Sequence, residues 1–165
     1  MLRPPLVLCA VLLACSADPP APQPAPTPTP TPTTRAPAPP RLIPAPRGGR
    51  VAEVVEAERS DTATLVVYVG ASWCEPCVAF HEALVAGQLD ADLPDVRFLE
   101  FDLDRDRARL EADGYSSRYV PLFALPGADG RASGAQIEGG TKSPGAARQL
   151  VQRLRPLLAA SDAAR

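Results

Sequence analysis

The sequence predicts an α/β sandwich, a mixed central sheet with helices on both faces. Three observations carry this. The run Thr64 to Val69, closed by Gly70, is apolar or β-branched throughout, and a strand exposed on one face would alternate instead. Apolar periodicity along the chain switches in the order helix, strand, helix, strand, helix, strand, strand, helix. The turn Gly127-Ala128-Asp129-Gly130 then joins the last two strands as a hairpin.

The folded part is one domain with extensions. Of the 21 prolines among 165 residues, 13 lie between Pro19 and Pro46, which separates an apolar start from a compact remainder. A net charge of -2 and scattered Lys and Arg provide no basic field, so nucleic acid is excluded as a partner. Residues 1–14 read as a signal peptide, 15–46 as an extended tether and 47–165 as the domain.

Met1-Leu2-Arg3 is a positive start, and Leu6 to Ala14 is apolar but far shorter than the ~20 residues that span a bilayer. That pattern is an export signal. Leu12-Leu13-Ala14-Cys15-Ser16 resembles the lipobox of bacterial lipoproteins, which implies lipidation of Cys15 and a lipid anchor there. Cys9 would leave with the signal. An ordinary cleaved signal is the alternative, and either one delivers the domain to an oxidising compartment, the periplasm or cell exterior. Ser16 to Pro46 is Pro, Ala and Thr without apolar periodicity. Proline fixes φ and has no donor, so this is a semi-stiff polyproline II spacer at about 3.1 Å per residue.

Leu42-Ile43 is a weak signal for a short edge strand, interrupted by Pro44. Arg50 to Arg59 reads as a helix with Val51, Val54 and Val55 on one face, and Ser60-Asp61 turns into the Leu65 strand. A helix after Cys77 carries Val78, Phe80, Ala83 and Leu84 at helical spacing and ends near Gly87. Pro94-Asp95 introduces a strand from Val96 to Phe101. Asp102 to Ala112 is a charged helix or turn stopped by Gly114. Arg118-Tyr119-Val120-Pro121 enters the hairpin, whose second strand runs near Ala132 to Ile137. In the last helix Ser143 is the expected cap, Pro144 sits in the first turn, and Ala146, Ala147, Leu150, Val151, Leu154 and Leu158 form the apolar stripe. Pro156 is expected to kink or end it.

The chemistry is concentrated in Trp73-Cys74-Glu75-Pro76-Cys77. Cys74 falls where strand becomes helix, against unpaired N–H groups that favour a thiolate, and Cys77 is one turn further, within reach of a disulfide. A structural staple and half of a zinc site are the alternatives. Zinc needs a second ligand pair, and beyond the N-terminal cysteines this chain has only one His.

Trp-Cys-x-Pro-Cys behind a buried strand, Val120-Pro121 some 45 residues later, a hairpin, the Gly139-Gly140 pair and a terminal helix together resemble thioredoxin over about residues 50 to 158. The resemblance implies a thioredoxin-like sandwich and a redox disulfide between Cys74 and Cys77, the catalytic pair. Cys74 would be the exposed attacking thiolate and Cys77 the buried resolving thiol. Pro121 would be cis, the Val120 backbone would pair with substrate polypeptide, and Trp73 and Pro76 would shape the rim. Glu75-Pro76 resembles exported haem-biogenesis thioredoxins. The Phe80 and Leu84 spacing with Asp102-Leu103-Asp104 is more like the periplasmic domain of the transmembrane disulfide reductant. The implied partners are protein dithiol or disulfide substrates and a membrane or periplasmic redox partner. No cofactor and no metal are called for.

The chain departs from that family in two places. The Asp that accepts the resolving thiol's proton aligns with Tyr68, a poor base at neutral pH. The Lys paired with that Asp aligns with Glu100. Strand alternation puts Glu100 on the face of Val96 and Phe98, where an acid is expected to hold its proton more tightly, making Glu100 a candidate proton acceptor. A Glu turning into solvent at a strand end is the competing reading. His81, one turn after Cys77, is either a surface residue or a third ligand that would make the pair a copper-binding metallochaperone. A non-catalytic peptide-binding module is the remaining alternative. Glu75 beside the nucleophile opposes a second negative charge, which favours a disulfide reductant over an oxidant.

Overall fold

The computed structural model describes residue 38 and residues 40–163. The elements follow in the order β1 (Arg41–Pro44), α1 (Val51–Ala57), β2 (Thr64–Gly70), α2 (Glu75–Val85), β3 (Val96–Asp102), α3 (Leu103–Ala112), β4 (Leu122–Pro126), β5 (Ala132–Glu138) and α4 (Ala146–Ala163). They build one five-stranded sheet in the order β1-β3-β2-β4-β5. β1, β3 and β2 are parallel, whereas β4 and β5 each run antiparallel to the preceding neighbour. The sheet is therefore mixed, with helices packed on both faces, the thioredoxin-like sandwich expected.

β2 is buried along its whole length, as its uninterrupted apolar run requires. Its side chains divide between two cores by simple alternation. Val66 and Tyr68 join Phe80, Ala83 and Leu84 of α2 and Leu150, Val151 and Leu154 of α4. Leu65, Val67 and Val69 join Val51 and Val55 of α1 and Leu110 of α3. The floor beneath α2 is aromatic. Tyr68 stacks on Phe123 with centroids 5.0 Å apart, and Phe80 meets Phe123 edge-on at 4.8 Å. Such pairs add about 0.5–1.5 kcal/mol each beyond the area they bury, and here they fix the height of the helix that carries the cysteines.

Four expectations shift. β1 lies inside the stretch read as tether, because Leu42 and Ile43 pair in parallel with Phe98 and Leu99; the folded unit therefore starts before residue 47. α1 spans only Val51–Ala57. Ser143 does not cap α4: residues 143–145 form a turn in which Ala146 N–H donates to the Ser143 carbonyl at 3.0 Å, and the helix starts after it. α4 also continues through Pro156, which is exposed. Gln152, whose carbonyl loses its helical donor, is exposed as well, so water can satisfy it and the helix tolerates the proline.

Two carboxylates in charged segments are buried. Asp113, 2 % exposed, accepts from Ala52 N–H at 3.0 Å and Arg50 Nη2 at 3.1 Å, with Arg131 Nη1 at 3.3 Å. Burial alone would raise its proton affinity, but these donors outweigh it and hold the carboxyl below the usual range. Asp106, also 2 % exposed, is gripped by Arg105 and Arg109 with the same result. Nearby, Gly130 has φ +75°, and a Cβ there would stand 2.4 Å from the Ala52 carbonyl oxygen. Only glycine fits that approach between the hairpin turn and α1.

Candidate redox site

α2 begins at the end of the central strand, and Cys74 is its N-cap in extended conformation. Pro76 in the first turn needs no donor, and Glu75 places an acid at the positive end of the helix. Cys74 and Cys77 are joined as a disulfide. The Cys74 sulfur also accepts from Cys77 N–H at 3.3 Å. When the bond is reduced, that N–H and the helix terminus favour charge on Cys74.

Exposure does not separate the two cysteines as expected. Cys74 is 5 % exposed and Cys77 2 %, both packed with Ala71 and against Leu103 and Val120. The asymmetry is electrostatic and positional: Cys74 caps the helix, while Cys77 lies over Gly70 and forms part of a cavity wall.

The rim also differs from the expectation. Trp73 is 61 % exposed, and its indole N–H donates to Asp104 Oδ2 at 2.8 Å, tying the cysteine loop to α3. Tyr119, 60 % exposed, is a second aromatic on the segment that leads into Val120. Pro76 is buried instead, since Gly140 approaches so closely that a Cβ there would lie 2.9 Å from Pro76 Cβ. It therefore offers packing rather than an open rim. Val120 is partly buried against the cysteines, the Val120–Pro121 peptide is cis, and the Pro121 carbonyl accepts from Gly139 N–H at 2.8 Å. The glycine pair thus pins both the proline loop and the first turn of α2.

An ion pair and a hydrogen-bonded pair complete the site. Lys142 Nζ lies 3.5 Å from Glu75 Oε1, so the acid next to Cys74 has a cation opposite. His81 Nδ1 lies 2.8 Å from Glu100 Oε1. Glu100 registers with Tyr68 across β2 and β3, on the face of Phe98, as alternation implied. Its surroundings are not the dry apolar face that expectation assumed, for its side chain is 24 % exposed and bonded to His81. Tyr68 donates its hydroxyl to the Cys77 carbonyl at 3.0 Å, and burial, reinforced by Glu100, pushes the phenol far above its ordinary pKa. It is no base at neutral pH.

A metal reading would need His81 beside the two sulfurs, but the imidazole is turned to Glu100. Among the described residues, no three His, Cys, Asp or Glu side chains are grouped to hold an ion. Cys15 lies outside the described residues. Lys142 was not singled out in the sequence, and Asp104 and Tyr119 entered only as parts of longer stretches, because none belongs to the cysteine motif and only the fold brings them to it.

No family model matches this chain, and no curated protein matches it. Among solved structures, a point-mutant thioredoxin from Halobacterium salinarum is similar at 22% identity over 75% of this chain and 95% of that one, with a TM-score of 0.46. A thioredoxin from Trichomonas vaginalis is similar at 16% identity over 68% of this chain and 96% of its own, with a TM-score of 0.43. Trxlp from Edwardsiella tarda is similar at 20% identity over 68% and 97% of the two chains, with a TM-score of 0.43. The fold assignment itself stands on the strand order and helix placement described above.

Proposed function

We propose that this chain is an exported, membrane-tethered thiol:disulfide oxidoreductase that reduces protein disulfides through Cys74 and Cys77. The observation that carries the chemistry is the N-cap bond: a sulfur able to form a disulfide with Cys77 also accepts the Cys77 N–H at a helix terminus. A staple would need no such placement. The Cys74 thiolate attacks a substrate disulfide, a mixed disulfide forms, and Cys77 resolves it. The exposed Trp73 and Tyr119 with the Val120 backbone form the surface for an extended substrate chain. A dithiol partner at the membrane or in the periplasm would return the pair to the reduced state.

Export and tethering rest on the N-terminal sequence, Leu12 to Ser16 with Cys15 as the lipidated residue, and on the proline spacer that follows. Among the described residues, no helix is long and apolar enough to cross a membrane.

Trapping tests the reading. Cys77→Ser in the full chain should accumulate mixed disulfides with protein substrates through Cys74, and Cys74→Ser should accumulate none. Equal trapping by both variants would refute the assigned order, and none by either would remove the oxidoreductase reading.

A further inference from the structure

The cavity beside the disulfide, about 360 Å³, is lined by Cys77 but not by Cys74. Into the same space come Tyr68 of β2, His81 and Glu82 of α2, Glu100 and Asp102 of β3, and Arg105 of α3. Its volume is many times the ~30 Å³ share of one water, so solvent can join these groups. His81 is one helical turn beyond Cys77 and on the same side of α2.

The charged neighbours already have tasks. Tyr68 donates to the Cys77 carbonyl, Arg105 is bonded to Asp106, and Asp102 caps α3 by accepting from Arg105 N–H at 2.9 Å. Glu82 is exposed on α2. The His81–Glu100 pair differs. A carboxylate at Glu100 can only accept, which assigns the hydrogen of their 2.8 Å bond to Nδ1 and leaves Nε2 as the nitrogen to take a proton.

We propose that His81, held in this tautomer by Glu100, is the proton acceptor for the Cys77 thiol through their shared cavity, with Glu100 as a positioning residue. The proposal rests on the dithiol reading above. The Cys74 thiolate attacks one sulfur of a protein disulfide, forming the mixed disulfide and releasing one substrate thiolate. The Cys77 S–H bond then breaks, and its proton passes to the imidazole. The resulting thiolate attacks the Cys74 sulfur, the bond from Cys74 to substrate breaks, and the second substrate thiolate leaves. The dithiol has lost two electrons and the substrate disulfide has gained them. The imidazolium returns its proton to a released thiolate or to solvent. When a dithiol of a partner protein reduces the Cys74–Cys77 disulfide, the imidazolium supplies the Cys77 proton.

The test uses the full chain with Cys9→Ser and Cys15→Ser, so that only the two site thiols react. Reduced protein is mixed with a disulfide-bonded protein substrate, and formation and decay of the mixed disulfide are followed by acid quench from pH 5 to 9. His81→Gln should leave formation unchanged and slow decay about tenfold near pH 7, converging with wild type at alkaline pH, where Cys77 ionises unaided. Glu100→Gln should slow decay and Glu100→Asp should restore part of it. An unchanged decay profile, or slowing equal at every pH, would overturn the proposal, the latter because a merely structural effect has no pH dependence.

A second measurement needs no substrate: the thiolate absorbance of Cys77, titrated in a Cys74→Ser variant. A nearby imidazolium favours the thiolate, so His81→Gln should move the curve to higher pH by about half a unit. If wild type forms no mixed disulfide at all, the oxidoreductase reading fails, and this titration alone decides the proton assignment. Coincident curves would overturn it.

Discussion

Replacing Glu75 and Lys142, singly and together, tests how the site sets its redox potential. Negative charge at Glu75 disfavours the Cys74 thiolate, hence the reduced form, and lowers the potential; Lys142 acts in the opposite sense. Their charged atoms are 3.5 Å apart, and the side chains are 67 % and 73 % exposed. Exposed pairs of this kind interact by about 0.2–1 kcal/mol, and in a two-electron couple about 1.4 kcal/mol corresponds to 30 mV. Each charge should therefore move the potential by no more than about 20 mV. Glu75→Gln should raise it, Lys142→Gln should lower it, and the double variant should lie close to wild type. The assay is equilibration in glutathione or dithiothreitol buffers with alkylation of free thiols. Shifts of the same sign in both single variants, or either shift above about 60 mV, would refute the electrostatic reasoning.

The remaining predictions concern the scaffold. Gly130→Ala combines a positive φ with a Cβ 2.4 Å from the Ala52 carbonyl oxygen, and should cost about 3 kcal/mol, lowering Tm by roughly 10 °C in a thermal melt. Asp113 binds its proton less readily folded than unfolded, so its contribution is complete above the ordinary carboxylate pKa of about 4 and is lost as pH falls through the lower folded value. Asp113→Asn should destabilise by about 2 kcal/mol at pH 7, measured by urea unfolding, with the difference closing as pH falls through the lowered folded value. Tyr68→Phe removes a donor to the Cys77 carbonyl and should cost about 1 kcal/mol while leaving the pH profile of disulfide exchange unchanged; a lost inflection would mean that the phenol titrates in the reaction.

The parts of this fold legible in the sequence are those set by local pattern. The apolar run of β2 could only be a buried central strand, and the helical spacing of Phe80, Ala83 and Leu84 placed α2 and therefore the cysteines at its start. The glycine and proline signals located the hairpin and the Val120–Pro121 entry. Alternation placed Glu100 on the α2 face, but its bond to His81 needed the packing of α2 on β3 at known height. The same holds for Lys142 against Glu75 and for Asp113, whose partners come from two distant segments, Arg50 and Ala52 at the start of α1 and Arg131 in the hairpin. Charged residues carry no periodicity that reveals such convergence. Pro156 does not end α4 because it lies on an exposed face that the sequence alone did not reveal, and β1 was partly absorbed into the proline tract because its partner strand is distant in the chain.

The central claim is that Cys74 and Cys77 form a working redox couple rather than a staple. A redox titration of the full chain carrying Cys9→Ser and Cys15→Ser, with free thiols counted at each potential, tests it most directly. The account predicts one reversible two-electron transition in which both thiols appear together, nearer the roughly -270 mV of thioredoxin than the -120 mV or so of a strong oxidant. A pair that remains oxidised at every potential the buffers reach, or that opens only when the protein unfolds, would contradict it.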